Sequence, residues 1–250
     1  MSGNFVEKLV KLAGECGIEI DPEKAKLLGI FKDEIVEWNK RINLTAIVDE
    51  EQFIVKHIID SLIILKKIDF HSGAKLVDVG TGAGFPGVPV KIMRQDLVVL
   101  LMDSSRKKTE FLKHAVKKLG LQRTDVLCAR AEEAAKSGGY REMYDAAVAR
   151  AVSGLNTLVE LCLPLVKVGG IFIAMKGEDP GSEIEEALGA ADILGGRIGN
   201  VIPYELPGGI KRHLIVVEKI KNTPEKFPRR PGMPQKKPIH LKISIEKEGD

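Results

Sequence analysis

At 250 residues, with 44% hydrophobic and 29% charged residues, the chain has an ordinary globular composition and is long enough for one large α/β domain with an appendage. Its longest apolar stretch is interrupted by Asp60 and Ser61, and Glu7 and Glu15 stand where an export signal would be apolar, so no membrane span is expected and the protein reads as cytoplasmic. A net charge of +3 does not identify a nucleic-acid binder, and Cys16, Cys128 and Cys162, with no Cys-x-x-Cys pair, argue against a disulfide framework or a metal site and read as small buried hydrophobes.

Residues 1–70 read as a helical cap that does not fold alone. An amphipathic segment runs from about Phe5 to Ala13. From Pro22 to Lys40, Leu27, Phe31, Ile35 and Trp38 recur at helical spacing and make one apolar face. After Asn43-Leu44-Thr45-Ala46 a third helix is expected from about Glu51 to Lys67. There the spacing of His57, Asp60 and Ser61 puts a polar patch on one face. That patch either lines a pocket or ties the cap to its neighbour.

The most informative stretch follows. Lys75 to Val79 is a buried strand, and Asp78-Val79-Gly80-Thr81-Gly82-Ala83-Gly84-Phe85-Pro86-Gly87 turns out of it into a helix. Glycines are needed where a backbone turns tightly and approaches a ligand. Counted from Gly82, the spacing Gly82, Gly84, Gly87 fits a dinucleotide fingerprint. Counted from Asp78, the spacing Asp78, Gly80, Gly82, Gly84 fits the S-adenosylmethionine loop of Rossmann-like methyltransferases. A carboxylate at Asp78 would repel a pyrophosphate at the helix N-terminus and attract a sulfonium and an ammonium, which favours S-adenosylmethionine.

Short apolar runs then alternate with helical ones. Strands are expected at Lys75–Val79, Val98–Met102, Asp125–Ala129, Tyr144–Arg150 and Gly170–Met175, with helices at Gly87–Arg94, Arg106–Leu119 and Gly154–Val166. Gly120 marks a helix end, and Ser182 with Glu185 reads as a capping box opening a helix to about Leu194. After a Pro207-Gly208-Gly209 turn, His213 to Ile220 reads as a closing antiparallel strand. The fold class is therefore α/β: a Rossmann-like, mostly parallel twisted sheet over residues 71–221 with a C-terminal antiparallel strand and the N-terminal cap.

Residues 222–250 form a basic, proline-rich arm and tail. The bases from Lys219 to Lys242 include Lys226, Arg229, Arg230, Lys236, Lys237 and Lys242, opposed by Glu225 alone. Prolines 224, 228, 231, 234 and 238 give an extended arm that cannot form a helix. Two readings stand side by side: Arg229, Arg230, Lys236 and Lys237 hold RNA, or Phe227 and the prolines strap the arm to the sheet while the cations face water.

Other residues narrow the chemistry. Asp103, at the end of the second strand, is placed to reach ribose hydroxyls; it alternatively starts the next helix with Ser104 and Ser105. Arg130-Ala131-Glu132 follows the third strand where a loop contacts adenine. The fourth strand ends in Arg150 and lacks the Asn/Asp-Pro-Pro-aromatic motif of exocyclic-amine methylation; no cysteine is set up as a nucleophile for cytosine C5. Arg150 either serves the site or makes a structural ion pair. Lys107, Lys108, Lys113, Lys117 and Lys118 decorate one helix as a solvated face or part of an RNA-attracting field.

Taken together, Asn43-Leu44-Thr45, His57 to Leu62, Asp78 to Gly87, Arg130 to Glu132, Ala149-Arg150-Ala151, Leu163 to Gly170, Lys219 to Pro224 and Phe227 to Gly232 resemble the bacterial small-subunit rRNA guanine-N7 methyltransferases, also called glucose-inhibited division protein B. The resemblance implies S-adenosyl-L-methionine as cofactor, with contacts at Gly80, Phe85, Asp103, Ser104, Ala131, Glu132 and Arg150. It implies as substrate a guanine in the 530 loop of 16S rRNA (guanine 527 in standard rRNA numbering), in free RNA or in the small ribosomal subunit. Arg150, Asn43 and His57 are then positioning candidates. N7 carries an in-plane lone pair and no proton, so neither a dedicated base nor a metal is expected, and the protein is expected to act as a monomer. The other classes left open are a nicotinamide-dependent oxidoreductase and a non-catalytic RNA-binding module.

Overall fold

The computed structural model describes residues 3–47, 49–150 and 153–240. Ala151 of the fourth-strand motif, Lys242 and the remaining tail lie outside the described residues. Seven strands, β1 (Lys75–Val79), β2 (Val98–Asp103), β3 (Thr124–Cys128), β4 (Tyr144–Arg150), β5 (Val166–Lys176), β6 (Gly196–Leu206) and β7 (Ile210–Lys219), form one sheet in the order β3-β2-β1-β4-β5-β7-β6. The strands β1 to β5 pair in parallel, and β7 runs antiparallel to both β5 and β6. This is the Rossmann-like architecture of class I methyltransferases. The order reverses between β1 and β4, so a crevice opens beyond their carboxyl ends, which is where such sheets bind ligands.

The apolar alternation of the strands sorts the helices onto two faces. Leu76, Val99, Leu101, Ala146, Val148 and Ile173 share a core with α1 (Gly3–Glu15), α2 (Pro22–Asn39), α5 (Gly87–Met93) and α6 (Arg106–Lys118). Val77, Leu100, Ala147, Phe172 and Val217 point the other way, into a core with α7 (Ala131–Ala134), α8 (Leu155–Cys162), α9 (Gly181–Ile193) and Phe227. With both faces covered, the central strands are largely apolar. The cap has no core of its own: Phe31 of α2 is fully buried, its ring 5.3 Å from Phe85 of the glycine loop and 6.4 Å from Phe111 of α6.

Several local expectations change. The third cap helix is not uniformly α-helical: α3 (Glu50–Phe53) runs into a π-helical stretch, Ile54–Ile59, before α4 (Asp60–Lys67). Such insertions mark functional sites often enough to be informative. The strand β5 begins four residues early and bends at Gly169, whose φ is +86°; Gly170 tolerates no side chain there, because a Cβ would lie 2.5 Å from the Asp145 carbonyl oxygen. The helix α8 stops at Cys162, and a 3₁₀ turn at Leu163–Leu165 leads directly into β5. Ser182 does not cap α9, which starts one residue earlier at Gly181, whose N–H is held by the Asp179 carboxylate at 3.2 Å. The hairpin partner β6 is an edge strand, which is why it accommodates Pro203 and a register shift between Ile198 and Val201. Cys162 is buried as expected, but Cys128 is exposed and Cys16 half-buried.

The arm is also not free of helix. One turn, α10 (Met233–Lys236), starts at Gly232 with φ +80°. Before it, the Thr223 N–H donates to Glu142 (2.7 Å), Arg141 donates to the carbonyls of Thr223 and Phe227, and Phe227 is 8% exposed. The arm is packed along the α8 side of the sheet, as the strap reading expects of Phe227, but Arg229 pairs with Glu160 of α8 instead of facing water.

Candidate active site

A cavity of about 800 Å³ opens at the carboxyl ends of β1, β2 and β4. A smaller one of about 160 Å³ adjoins it, and Gly80, Asp103 and Ser104 line both. Gly80 (φ +72°) and Gly82 (φ +60°) hold the loop between them in conformations other residues resist. The Gly80 and Thr81 amides donate to the Met102 carbonyl at 2.9 and 3.0 Å, pinning the turn to β2. A Cβ at Gly82 would have the Gly80 carbonyl oxygen, at 4.0 Å, as its nearest non-adjacent neighbour, so the glycine borders open space. Asp103 is 8% exposed and accepts from the Gly82 N–H (3.0 Å) and the Ser105 N–H (2.8 Å). It braces the loop, a role the sequence did not suggest, and it also holds the turn that opens α6, while still lining both cavities.

Two glycine-loop expectations are corrected. Asp78 does not face the cavity. It is fully buried, and one carboxylate oxygen accepts from the Thr81 hydroxyl (2.6 Å) and the Gly87 N–H (2.7 Å), bracing the turn from beneath. Its other oxygen has no partner among the described residues, and burial raises the pKa to about 6 against the opposing pull of those two donors. Gly84 likewise faces protein. A Cβ there would lie 2.8 Å from Val88 and 3.0 Å from Phe31, so this glycine admits the cap helix α2 to the loop.

The cap supplies the opposite wall. His57, within the π-helical stretch, stacks on the Phe85 ring at 4.5 Å with 9° between planes. The Arg150 guanidinium lies 5.2 Å from the same ring and donates to Asp60 (2.8 Å), to the Lys56 carbonyl (3.1 Å) and to His57 Nδ1 (3.3 Å). Tyr204 on β6 donates to the other Asp60 oxygen at 2.8 Å. Arginine has only donors, so His57 Nδ1 is an acceptor and Nε2 carries the hydrogen, given to Thr45 Oγ1 at 2.7 Å. Burial, and then the charge of Arg150, lower the His57 pKa to about 3, so the ring is neutral near pH 7.

Of the expected residues, Gly80, Gly82, Phe85, Asp103, Ser104, His57 and Arg150 meet around the larger cavity, while Ala131 and Glu132 line the smaller one. Arg150 both lines the site and makes an ion pair. Asn43 is exposed and outside the cavity. The loop that follows it is held by Asn39, at the end of α2, whose carboxamide accepts from the Leu44 and Thr45 amides (2.8 and 3.1 Å) and donates to the Thr45 carbonyl (2.9 Å). Ser61 turns away from the site and donates to the His57 carbonyl. Tyr204, Lys176 and Arg212, which also line the cavity, carry no sequence signal because they come from the poorly patterned hairpin and the end of β5. Arg229 reaches neither cavity: its guanidinium grips Glu160, which is fully buried. Arg230, Lys236 and Lys237 are exposed.

The residues fit S-adenosylmethionine. A carboxylate at the end of β2 stands beside an open glycine turn, between a small slot and a larger chamber, each lined by both polar and apolar residues. Among the described residues no three His, Cys, Asp or Glu side chains gather as a metal site, and no helix is long and apolar enough to cross a membrane.

Comparison with known proteins agrees. Among solved structures, the chain is similar to precorrin-6y C5,15-methyltransferase from Geobacter metallireducens, with a TM-score of 0.51 and 11% identity over 72% of this chain and 95% of that one. It is also similar to the cyclase SpnF, with a TM-score of 0.52 and 15% identity over 65% of this chain and 82% of that one. These likenesses concern the fold, which does not by itself fix a reaction. Sequence relatives are more specific. The chain is 47% identical to the ribosomal RNA small subunit methyltransferase G of Acetivibrio thermocellus over 92% of this chain and 95% of the relative. It is 46% identical to the protein of the same name from Pelotomaculum thermopropionicum, over 94% and 99%. The family model for rRNA small subunit methyltransferase G matches residues 24–206, from the cap helix through β6, and the chain belongs to that family.

Proposed function

We propose that this protein transfers a methyl group from S-adenosyl-L-methionine to N7 of a guanine in the 530 loop of 16S rRNA, in free RNA or in the small ribosomal subunit. The observation that carries the reading is the pair of cavities meeting at Asp103, one sized for an aromatic ring and the other roomy and rimmed by Lys56, Lys108, Lys176 and Arg212. Asp103 would hold the ribose hydroxyls, Ala131 and Glu132 the adenine end, and Gly80, Gly82, Ser104, Phe85 and Arg150 the remainder. When bound, the cofactor supplies an electrophilic methyl group on a sulfonium.

The chain's own residues orient rather than abstract. Guanine N7 attacks with its lone pair and has no proton to lose, so alignment is the main requirement. The inventory suits this. His57, the one imidazole in the wall, is neutral, with its Nδ1 lone pair facing Arg150 and its Nε2–H given to Thr45, so it serves as a stacked support for Phe85 and not as a base. Arg150 is fixed by three acceptors from the cap, which couples the substrate wall to the sheet. The rim cations, and the exposed Arg230, Lys236 and Lys237, supply the positive field that RNA phosphates need.

Calorimetry separates this reading from an oxidoreductase: binding of S-adenosylmethionine without binding of NAD is expected, and the reverse would reject it. Transfer of labelled methyl to 16S rRNA separates it from a non-catalytic RNA-binding module, in which cofactor binding would be followed by no transfer.

A further inference from the structure

The smaller cavity has a wall from an unexpected part of the chain. Besides Val79, Met102 and Leu161 from the sheet and α8, it is lined by Pro234 and Gln235 of the C-terminal arm. A cavity near 150 Å³ accepts an aromatic ring, so about 160 Å³, open toward the larger chamber, accommodates one. The arm is held there by two hydrogen bonds: the Gly232 N–H donates to Glu132 Oε1 at 2.8 Å, and the Thr157 hydroxyl donates to the Pro234 carbonyl at 3.2 Å. Upstream, Arg229 grips Glu160 through its backbone N–H (2.8 Å) and guanidinium (Nε at 2.9 Å), fixing the approach. The arm is thereby fastened to the slot's own residue, Glu132.

Among the side chains lining the slot, those of Asp103 and Glu132 already accept backbone N–H groups of the fold. Gln235 is exposed, borders the slot, and its carboxamide makes no hydrogen bond within the described residues. A carboxamide offers a donor and an acceptor side by side, the complement of an adenine edge, whose 6-amine donates and whose neighbouring ring nitrogen accepts. We propose that Gln235, held in place by the strapped arm, reads the adenine edge of the cofactor and is a specificity-determining residue of this enzyme. The proposal rests on S-adenosylmethionine as cofactor and adds to it a reading group from outside the sheet. It also gives the arm a function that its basic composition does not suggest. Pro234 packs as the outer wall, Gln235 supplies the polar contact, and Glu132 is the anchor on which the arm and the slot meet.

The test is calorimetry of the full-length protein with S-adenosylhomocysteine and with its inosine counterpart, in which a carbonyl replaces the 6-amine. The parent is expected to prefer the adenine ligand. Gln235→Ala should weaken the adenine ligand by roughly 5- to 100-fold, the range of one bidentate interaction with a base, and bring the ratio of the two affinities close to one. Gln235→Glu, which keeps an acceptor and loses the donor, should fall between. As an independent readout, amide exchange at residues 232–237 should slow when S-adenosylhomocysteine is added to the parent. A parent that binds S-adenosylhomocysteine, with a Gln235→Ala variant of the same affinity and ratio and no change in arm exchange, overturns this proposal and leaves the cofactor reading intact. A parent that binds neither ligand overturns both.

Discussion

Arg150 and Arg229 both pair with carboxylates of little or no exposure, Asp60 at 5% and Glu160 at 0%, yet they do different work. Arg229 gives its backbone N–H and its guanidinium to one partner and touches no cavity. It is a fastener. Arg150 distributes its donors over Asp60, the Lys56 carbonyl and His57, places its face beside Phe85 and stays open to the larger cavity. The carboxylate behind it is also held by Tyr204, so Asp60 keeps a donor when Arg150 leaves. Burial of an ion pair is thus no guide to its role; what matters is whether the remaining donors meet protein or open space.

The comparison predicts its own breaking points. Arg229→Ala leaves the fully buried Glu160 with the backbone N–H of residue 229 but no charge partner, and the expected cost is about 3 to 5 kcal/mol of folding stability in urea denaturation. A loss below about 1 kcal/mol would remove the fastener role. Arg150→Ala should cost less stability, about 1 to 3 kcal/mol, because Tyr204 still satisfies Asp60. Its methyl-transfer rate should nonetheless drop about 10²-fold, as for a misplaced reacting geometry. Equal stability losses with unchanged turnover would show that the two pairs are equivalent.

Two groups, the half-buried His57 and the buried Asp78, sharpen the comparison through pH. His57 is held near pKa 3 in the folded protein against 6.5 in the unfolded chain. Below pH 6.5 the unfolded chain binds a proton that the folded one refuses, so stability falls as pH falls toward 3. Asp78 is raised from 3.8 to about 6, so across that window the folded protein holds a proton that the unfolded chain releases, and stability falls as pH rises. The two oppose each other between about pH 4 and 6. Relative to the parent, Asp78→Asn should lose stability more steeply on acidification through this window, and His57→Gln should lose it less steeply. Denaturation curves that stay parallel to the parent's at every pH would contradict both assignments.

The smallest effect concerns the exposed cations of the arm. Changing Arg230, Lys236 and Lys237 to Gln should leave the melting temperature nearly unchanged while flattening the salt dependence of RNA binding by about 0.7 to 0.9 log units for each phosphate no longer neutralised. An unchanged slope would confine RNA contact to the cavity rim.

Most of the sheet was legible because βαβ units repeat an apolar strand, a glycine or polar turn and an amphipathic helix. The glycine loop announced the crevice, and Asp103 and Arg150 announced their strand ends. What could not be read was tertiary. Nothing local distinguishes Gly82, which borders open space, from Gly84, which opens to Phe31. Asp78 looked like a ligand-facing carboxylate because it stands just ahead of the glycine turn, and it proved to be the brace beneath that turn. Tyr204 lies on an edge strand interrupted by Gly199 and Pro203, and only the antiparallel hairpin carries it back to Asp60. In the arm, charge was conspicuous and packing was not: Arg229 finds its partner 69 residues away.

The central claim is tested most directly by incubating the purified protein with S-adenosylmethionine and 16S rRNA that lacks the modification, then treating the RNA with borohydride and aniline, which cleave at N7-methylguanine. A new scission in the 530 loop that requires both protein and cofactor is the expected result. Methyl incorporation without scission there, or no incorporation into either free rRNA or the small subunit, would contradict it.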